Sequence, residues 1–172
     1  MSNRPASEAH IRTASDADLA VISALAGRIW RAHYLAILSP EQIEYMLRWM
    51  YDIRQLRRDV ERGVVYQLLL EGDRPLGFCG YEELHGELKL HKLYLDVAEH
   101  GRGLGSMLLR HVEEEARRRA LAKVVLGVNR FNEKAIRAYQ RNGYRIREPL
   151  KTEIGGGFVM DDWIMEKPLA GH

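Results

Sequence analysis

Three glycines alternate with other residues near the middle of the chain, at Gly101, Gly103 and Gly105. They follow the apolar segment 88–97, and the residues from Leu104 onward have helical spacing, so the glycines lie between a predicted strand and a predicted helix. Glycine leaves the backbone accessible, and the first amides of a helix lack intrahelical acceptors, so this turn suits a pyrophosphate. The alternative is a tight connection without a ligand, because alternating glycines alone are a weak signal.

Two other nucleotide-binding motifs fit this stretch less well. A Walker phosphate loop places Lys and then Ser or Thr after its last glycine, whereas Gly105 is followed by Ser106 and Met107, so that motif is excluded. A dinucleotide fingerprint spaces its glycines as Gly-x-Gly-x-x-Gly early in a βαβ unit. Here the spacing is Gly-x-Gly-x-Gly, after several antiparallel-looking strands, so that motif is weakly supported.

Two segments in the C-terminal half resemble the signatures of the GNAT N-acetyltransferases. The first is His100-Gly101-Arg102-Gly103-Leu104-Gly105, which resembles the family's Gln/Arg-x-x-Gly-x-Gly/Ala core, with His100 in place of the usual Gln or Arg. The second covers residues 128–144 and includes Asn132 and Tyr139. Their order and separation are more specific than either alone. The whole chain, including segments 29–50 and 158–167, is similar to PaiA-type polyamine acetyltransferases.

The resemblance implies an acetyl-CoA-dependent N-acetyltransferase, with acetyl-CoA as cosubstrate and a single domain over residues 1–172. Its fold class is α/β (α+β): a mixed central β-sheet of about six or seven strands, splayed at the central strands and flanked by about four helices. The main chain of Leu93, Tyr94 and Leu95 is expected to meet the pantetheine and polarise the thioester carbonyl. The pyrophosphate is expected at Gly101, Arg102, Gly103, Leu104, Gly105 and Ser106.

Two further residues are expected to act near the cofactor. Asn132 either binds the pantetheine arm or a nearby backbone group, or only caps the following helix. Tyr139 lies seven residues later, about two helical turns, so both side chains project toward the same side. Its phenol is predicted to protonate the departing CoA thiolate as a general acid, the alternative being a tyrosine of the core.

The attacking amine must lose a proton, because alkylamines are mostly protonated at neutral pH. We expect His91 as the base, since it lies on the predicted central strand in phase with Leu93 and arylalkylamine acetyltransferases place a histidine similarly. A structural histidine is the alternative. In ribosomal-protein N-terminal acetyltransferases the base is a Glu at the position of Gly127, which argues against that subfamily. Other candidate acceptors or amine-charge partners are Glu82, Glu83, Asp161 and Asp162.

These assignments predict direct attack of a small molecule's primary amine, polyamine-like or otherwise, on the thioester, with no covalent enzyme intermediate. Cys79 lies in an apolar run without an evident histidine partner, so it is interpreted as a buried strand residue. Alternative functions are a non-catalytic CoA-binding regulatory module and a peptide or protein N-acetyltransferase. Homodimers are common among similar proteins, so a homodimer is a candidate assembly.

The elements that must position these residues follow from hydrophobic periodicity and turn signals. Ser15 or Asp16 is predicted to cap a first helix that runs to Ile29, and the capping box at residues 39–42 opens a second that runs to Met50. The remaining order is an antiparallel meander of strands at 64–70, 76–81 and 88–97, a helix at 104–120, a strand at 123–128, a helix at 133–141, and strands from 144 and over 158–165.

Five aromatic or histidine side chains in the N-terminal half are candidates for a substrate pocket wall or for the core: Trp30, His33, Tyr34, Trp49 and Tyr51. Residues 155–157, three consecutive glycines, are interpreted as a hairpin connection, with a mobile loop over the acceptor site as the alternative. Glu113, Glu114 and Glu115, followed by three arginines at 117–119, are expected to form ion pairs at i,i+4 on an outer helix face.

Composition limits the partners. The 26 basic and 24 acidic side chains nearly cancel, so we expect no nucleic-acid partner. No apolar stretch approaches the roughly 20 residues of a membrane helix, and no secretory core follows the first residues, so we expect a cytoplasmic protein without a membrane partner. A single cysteine allows neither an internal disulfide nor a cysteine-rich metal site, and no metal is expected.

Overall fold

The computed structural model describes residues 8–170, which form seven β-strands and five α-helices. Two short 3-10 turns occur at Tyr34–Ala36 and Val97–Glu99. The strands are β1 (Ala9–Thr13), β2 (Val65–Glu71), β3 (Arg74–Leu84), β4 (Glu87–Leu95), β5 (Lys123–Asn129), β6 (Arg145–Gly155) and β7 (Phe158–Pro168). The helices are α1 (Asp18–His33), α2 (Pro40–Tyr51), α3 (Ile53–Arg62), α4 (Leu104–Arg118) and α5 (Glu133–Arg141).

Hydrogen bonding links the strands into one sheet in the order β1-β2-β3-β4-β5-β7-β6. The β4–β5 pair is parallel, while β1–β2, β2–β3, β5–β7 and β6–β7 are antiparallel. A parallel pair needs a crossover connection, and α4 supplies it between β4 and β5. The mixed sheet of seven strands confirms the predicted fold class and the predicted meander.

The chain divides into two compact units, and the first comprises Met1–Tyr81 and Lys92–Leu108. Within its described residues, α1, α2 and α3 accompany β1, β2 and most of β3. The α1 helix buries one stripe, because its apolar residues recur at helical spacing. That stripe consists of Leu19, Ile22, Leu25, Ala26 and Ile29.

The two predicted N-caps in this unit had different outcomes. The prediction for α1 was wrong: the residue before the helix is Ala17, without a side-chain cap, and Asp18 instead accepts hydrogen bonds from Ser15. The prediction for α2 is confirmed, since the Ser39 hydroxyl oxygen accepts a hydrogen bond from the Gln42 amide at 3.1 Å and Pro40 begins the helix.

The α3 helix was not among the predicted elements. Asp52 interrupts the helical conformation after α2, and its side chain caps α3 by accepting a hydrogen bond from the Arg54 amide at 2.9 Å. Gly63 ends α3 with a φ of 118°, a left-handed conformation that favours glycine. Leu56 is buried and anchors the helix, whereas Arg54, Arg57 and Arg58 are exposed.

The second unit comprises Glu82–His91 and Leu109–His172. Its described part contains α5, β5, β6, β7 and most of α4. The β6–β7 hairpin turns at the three glycines, where Gly155 pairs with Phe158, which confirms the interpretation of 155–157 as a hairpin connection. On β5, residues Val124, Val125, Leu126 and Val128 are buried, while Gly127 is exposed.

The prediction for the outer face of α4 was wrong for two of its three ion pairs, because Arg118 pairs with Glu115 instead of Glu114 and Glu113 is buried. Glu113 is 2% exposed and accepts a hydrogen bond from Lys167 of β7, so it is an inward residue rather than a partner of Arg117. Glu115 does form the expected i,i+4 ion pair, with Arg119 at 2.8 Å. The buried Glu113 needs Lys167, because an unpaired carboxylate in the interior is costly.

In the part of the chain spanning residues 8–170, no helix is both long enough and apolar enough to cross a lipid bilayer.

Candidate active site

The glycine-rich turn in the first unit has an open backbone. Gly101 and Gly103 have φ values of 83° and 75°, and a Cβ added at either position would meet no atom within 4 Å. Both positions therefore require glycine for their conformation and leave space above the chain. The α4 helix begins at Leu104, directly after this turn. The free amides of its first turn and the positive end of its dipole therefore lie next to the glycines.

The side chain of Arg102 is occupied elsewhere. Its guanidinium donates to Glu71 at 2.8 Å and also pairs with Glu99, and both carboxylates are buried. Arg74 donates to Glu99 at 2.7 Å and, as the leading cause, lowers the pKa of that carboxyl group. These ion pairs thus hold the side chain of Arg102 against the buried carboxylates and restrain the turn. A contribution of Arg102 to a bound phosphate would therefore come from its backbone amide.

The residues predicted to meet the pantetheine lie at the end of β4. Leu93, Tyr94 and Leu95 are each half-buried. The β4–β5 ladder pairs residues 88–90 with residues 124–126 and, over the described chain, does not extend to Leu93. Backbone groups at residues 93–95 are therefore not used in that ladder. This is the geometry expected of a splayed central strand.

Most of the candidate pocket-wall residues belong to the core of the first unit. Trp30, Tyr34 and Tyr51 are at most 5% exposed, and Trp30 lies 4.3 Å from Tyr34 and 5.8 Å from Tyr51 between ring centroids. The ring of Tyr94 joins this cluster at 5.7 Å from Trp30. Trp49 is 45% exposed and lies apart from the cluster on the α2 surface. The core interpretation is therefore correct for three of the five.

The second signature lies around α5. The Asn132 side-chain oxygen accepts a hydrogen bond from the Ala135 amide at 3.3 Å, so this buried residue is the helix N-cap. Tyr139 is half-buried on α5, with its ring 5.8 Å from the ring of Tyr144. Tyr144 is 3% exposed, and burial followed by the charge of Glu113 raises the pKa of its hydroxyl. Of these two tyrosines, Tyr139 is the more exposed.

His91 has a carboxylate partner. Its Nε2 lies 2.6 Å from Oε1 of Glu82 on β3, and Glu82 is buried while His91 is half-buried. A carboxylate can only accept, so the imidazole donates from Nε2 and the neutral ring carries its lone pair on Nδ1. The structure brings these two predicted residues together. Glu83, the neighbouring candidate, is exposed.

The two neighbouring aspartates of β7 differ in their surroundings. Asp161 forms an ion pair with Arg130, whose Nε lies 3.0 Å from Oδ1, and the Arg130 guanidinium lies over the ring of Trp163 at 4.5 Å. Asp162 is half-buried, and burial, followed by the charge of Asp161, raises its pKa to about 6. Sequence reasoning named both residues but had no signal to separate them.

Cys79 is unsuited to nucleophilic chemistry. It is fully buried on β3, and burial raises the pKa of its thiol to about 12. The thiolate is the reactive form of a cysteine, and the raised pKa makes it scarce at neutral pH. The buried-strand interpretation is confirmed.

We expect Cys79→Ala to retain acetyl transfer at close to the unmodified rate, with some loss of thermal stability from the small cavity. Steady-state turnover and a melting curve check this. Loss of turnover in a variant that is still folded would restore Cys79 as a nucleophile.

A strand, a glycine turn and a helix N-terminus thus form the kind of cradle that holds the pyrophosphate of a transferase cosubstrate. The chain belongs to the acetyltransferase (GNAT) family, whose model matches residues 27–144. It is an acetyltransferase that uses acetyl-CoA as its cosubstrate, as predicted.

The chain is similar to two groups of curated proteins. A spermidine N(1)-acetyltransferase of Thermoplasma acidophilum is 24% identical over 156 residues, which cover 88% of this chain and 94% of that protein. An uncharacterised N-acetyltransferase of Mycobacterium tuberculosis is 30% identical over 108 residues, covering 63% of this chain and 62% of the relative.

Among solved structures, the PaiA N-acetyltransferase of Thermoplasma acidophilum, crystallised in complex with coenzyme A, has a TM-score of 0.82 at 24% identity. The match covers 94% of this chain and 99% of the other. At 24% identity, this structural similarity shows a shared fold alone.

Proposed function

We propose that the chain transfers the acetyl group of acetyl-CoA to a primary amine of a small, polyamine-like molecule. The observation that carries the proposal is the His91–Glu82 pair, an imidazole held at 2.6 Å by a buried carboxylate and suited to take a proton from an amine. The similarity to a spermidine N(1)-acetyltransferase over 88% of the chain supports the substrate class.

The open turn at Gly101 and Gly103 fits the pyrophosphate of the cosubstrate. The backbone amides from Gly101 to Ser106 are proposed to hold it, with Arg102 contributing through its main chain. The main chain of Leu93, Tyr94 and Leu95 is proposed to pair with the pantetheine and to polarise the thioester carbonyl. Acetyl-CoA supplies an activated acyl group when bound.

His91 is proposed as the base. An amine attacks only when neutral, so its proton must leave before or during attack. Glu82 fixes the imidazole tautomer and stabilises the imidazolium that forms, because the buried carboxylate carries the opposite charge. The proton then resides on His91 and is released to solvent in the next cycle.

We expect His91→Ala to lower kcat/KM about 100-fold, the scale of general-base catalysis. A base must be neutral, so the unmodified enzyme should lose activity at the acidic end of its pH profile. That low-pH loss should be absent from the pH profile of the variant. A variant profile parallel to the unmodified one would mean that His91 has a structural role only.

Tyr139 is proposed as the acid that protonates the departing thiolate. Its partial exposure supports this role, because the phenol must reach a ligand. The amine forms the new C–N bond, the C–S bond breaks, and the phenol proton passes to sulfur. The proton that the nitrogen loses as the amide forms then restores the phenol. Asn132, as the α5 N-cap, fixes the start of the helix that carries Tyr139.

The acceptor class is tested by thiol release from acetyl-CoA across a panel of polyamines, arylalkylamines, aminoglycosides and N-terminal peptides. We expect the largest kcat/KM with the polyamines. Turnover confined to peptides would replace the small-amine proposal with a peptide acetyltransferase. Binding of acetyl-CoA without turnover on any amine would favour a regulatory module.

A further inference from the structure

Asp162 is a half-buried carboxylate on β7 that lacks a counter-charge. Within residues 8–170 it has no hydrogen-bond or ion-pair partner, whereas its neighbour Asp161 is paired with Arg130. Its ladder partners are Asn129 on β5 and Leu150 on β6, neither of which is charged. A carboxylate placed this way gains from binding a cation, because its desolvation is not offset within the protein.

The space beside this carboxylate is open at Gly127. This glycine is exposed on β5, and a Cβ added there would lie 3.7 Å from Oδ2 of Asp162 and 3.7 Å from Cδ1 of Ile164. The side-chain position of residue 127 is therefore a notch in the sheet surface with an anionic edge. A small ligand group can occupy it without displacing protein atoms.

His91 of β4 lies on the same face of the sheet as this notch. Lys89 of β4 pairs with Val125, so alternation along the two strands puts His91 and Gly127 on one face of the sheet. Gly127 pairs with Ile164, which puts Asp162 on that face as well. The face thus presents His91 of β4, paired with Glu82 of β3, and a carboxylate on β7, with a glycine on β5 between them.

The separation suits a short diamine. Adjacent strands lie about 4.8 Å apart, so side chains on β4 and β7 stand about 10 Å apart across β5. A hydrogen bond of about 2.9 Å at each end leaves about 4–6 Å between the two bound nitrogen atoms. Three or four methylene groups span that distance.

We propose that Asp162 binds the second, protonated nitrogen of a diamine or polyamine acceptor over Gly127, and so selects diamines over monoamines. The inference rests on the proposed function, in which His91 deprotonates the reacting nitrogen. The raised pKa of Asp162 agrees with it, because an ammonium group restores the charge balance that burial and Asp161 disturb.

The test compares kcat and KM for a four-carbon diamine and for butylamine. We expect the unmodified chain to prefer the diamine by about 10- to 100-fold in kcat/KM, the scale of a hydrogen bond between charged groups. Asp162→Asn should raise the KM for the diamine by that factor, with kcat and both butylamine constants unchanged. Asp162→Glu, which keeps the charge on a longer side chain, should retain the preference and shift it toward a three-carbon diamine.

Asp161→Asn is the matched control, because its charge is already countered by Arg130, and it should keep the diamine preference. The preference should also decline as pH falls through about 6, since protonated Asp162 no longer attracts an ammonium. Equal use of diamine and butylamine by the unmodified chain, or a preference that survives Asp162→Asn, would overturn the proposal.

If no amine is acetylated, the proposed function fails. Calorimetric titration of the four-carbon diamine into the chain then decides whether Asp162 binds it. Binding that is lost in Asp162→Asn would support the subsite, and binding equal in both proteins would overturn it.

Discussion

Tyr139→Phe is expected to lower kcat about 100-fold while leaving the KM for acetyl-CoA within about twofold, because general-acid catalysis contributes on this scale. The phenol of Tyr139 is half-buried on α5, and the change removes one oxygen atom without altering the ring that lies 5.8 Å from Tyr144. The lost rate therefore reports the proton and not the packing. Pre-steady-state measurement of thiol release separates this step from product release.

Tyr144→Phe is the matched control. Its hydroxyl is buried and has no hydrogen-bond partner within the described residues, so its removal should leave kcat unchanged and stability equal or slightly higher. An acetyl thioester with a more acidic thiol should also recover part of the rate of Tyr139→Phe, because that leaving group needs less protonation. A full kcat in Tyr139→Phe, or equal losses in both variants, would rule out Tyr139 as the acid.

Gly103→Val is expected to weaken acetyl-CoA binding about 30-fold, or about 2 kcal/mol. Gly103 has a φ of 75°, which a β-branched residue adopts only with strain, and the space above its backbone is open. Valine would both distort the turn and occupy the position proposed for the pyrophosphate. Calorimetric titration with acetyl-CoA measures the loss.

Gly86→Val provides the comparison for Gly103→Val. Gly86 has a φ of 77° in the β3–β4 turn, and a Cβ there would also meet no atom within 4 Å, so the backbone strain is matched. We expect similar losses of thermal stability in the two variants but unchanged acetyl-CoA affinity in Gly86→Val. Equal affinity in all three proteins would show that the turn at Gly103 does not bind the cosubstrate.

The elements with local signals were predictable from the sequence. The α5 helix was placed at its observed bounds of Glu133–Arg141, because an N-cap, a helical period and a closing glycine are all contained in one segment. The α3 helix was missed, since only Asp52 separates it from α2 and the apolar period continues almost without a break. The α1 cap was misplaced because Ser15 binds Asp18 instead of the helix backbone.

The partners of charged residues were less predictable than the elements. Glu113 is held by Lys167, which lies 54 positions along the chain, and Arg102 by Glu71, 31 positions away. Local spacing favoured a partner one helical turn away for Glu113 and gave no signal for the side-chain partners of Arg102. Such pairings depend on the strand order, which sets which distant charges are desolvated together.

The candidate site shows the same limit. The motif order located the turn at Gly101 and the helix of Tyr139, because the backbone conformations of a tight turn and of a helix end restrict the local residue types. The difference between Asp161 and Asp162 depends on Arg130, whose backbone amide donates to the Asp161 carbonyl oxygen at 2.9 Å and whose side chain then pairs with the carboxylate. That difference is a property of the β5–β7 ladder rather than of the local sequence.

Acetyl transfer to a small amine can be measured directly by mass spectrometry of spermidine after incubation with the full chain and acetyl-CoA labelled in the acetyl group. We predict a labelled N-acetyl amide formed in equal amount to free CoA, and formed far more slowly by Tyr139→Phe. Free CoA released without labelled amide, or no change in either compound at any amine tested, would contradict acetyl transfer to a small amine.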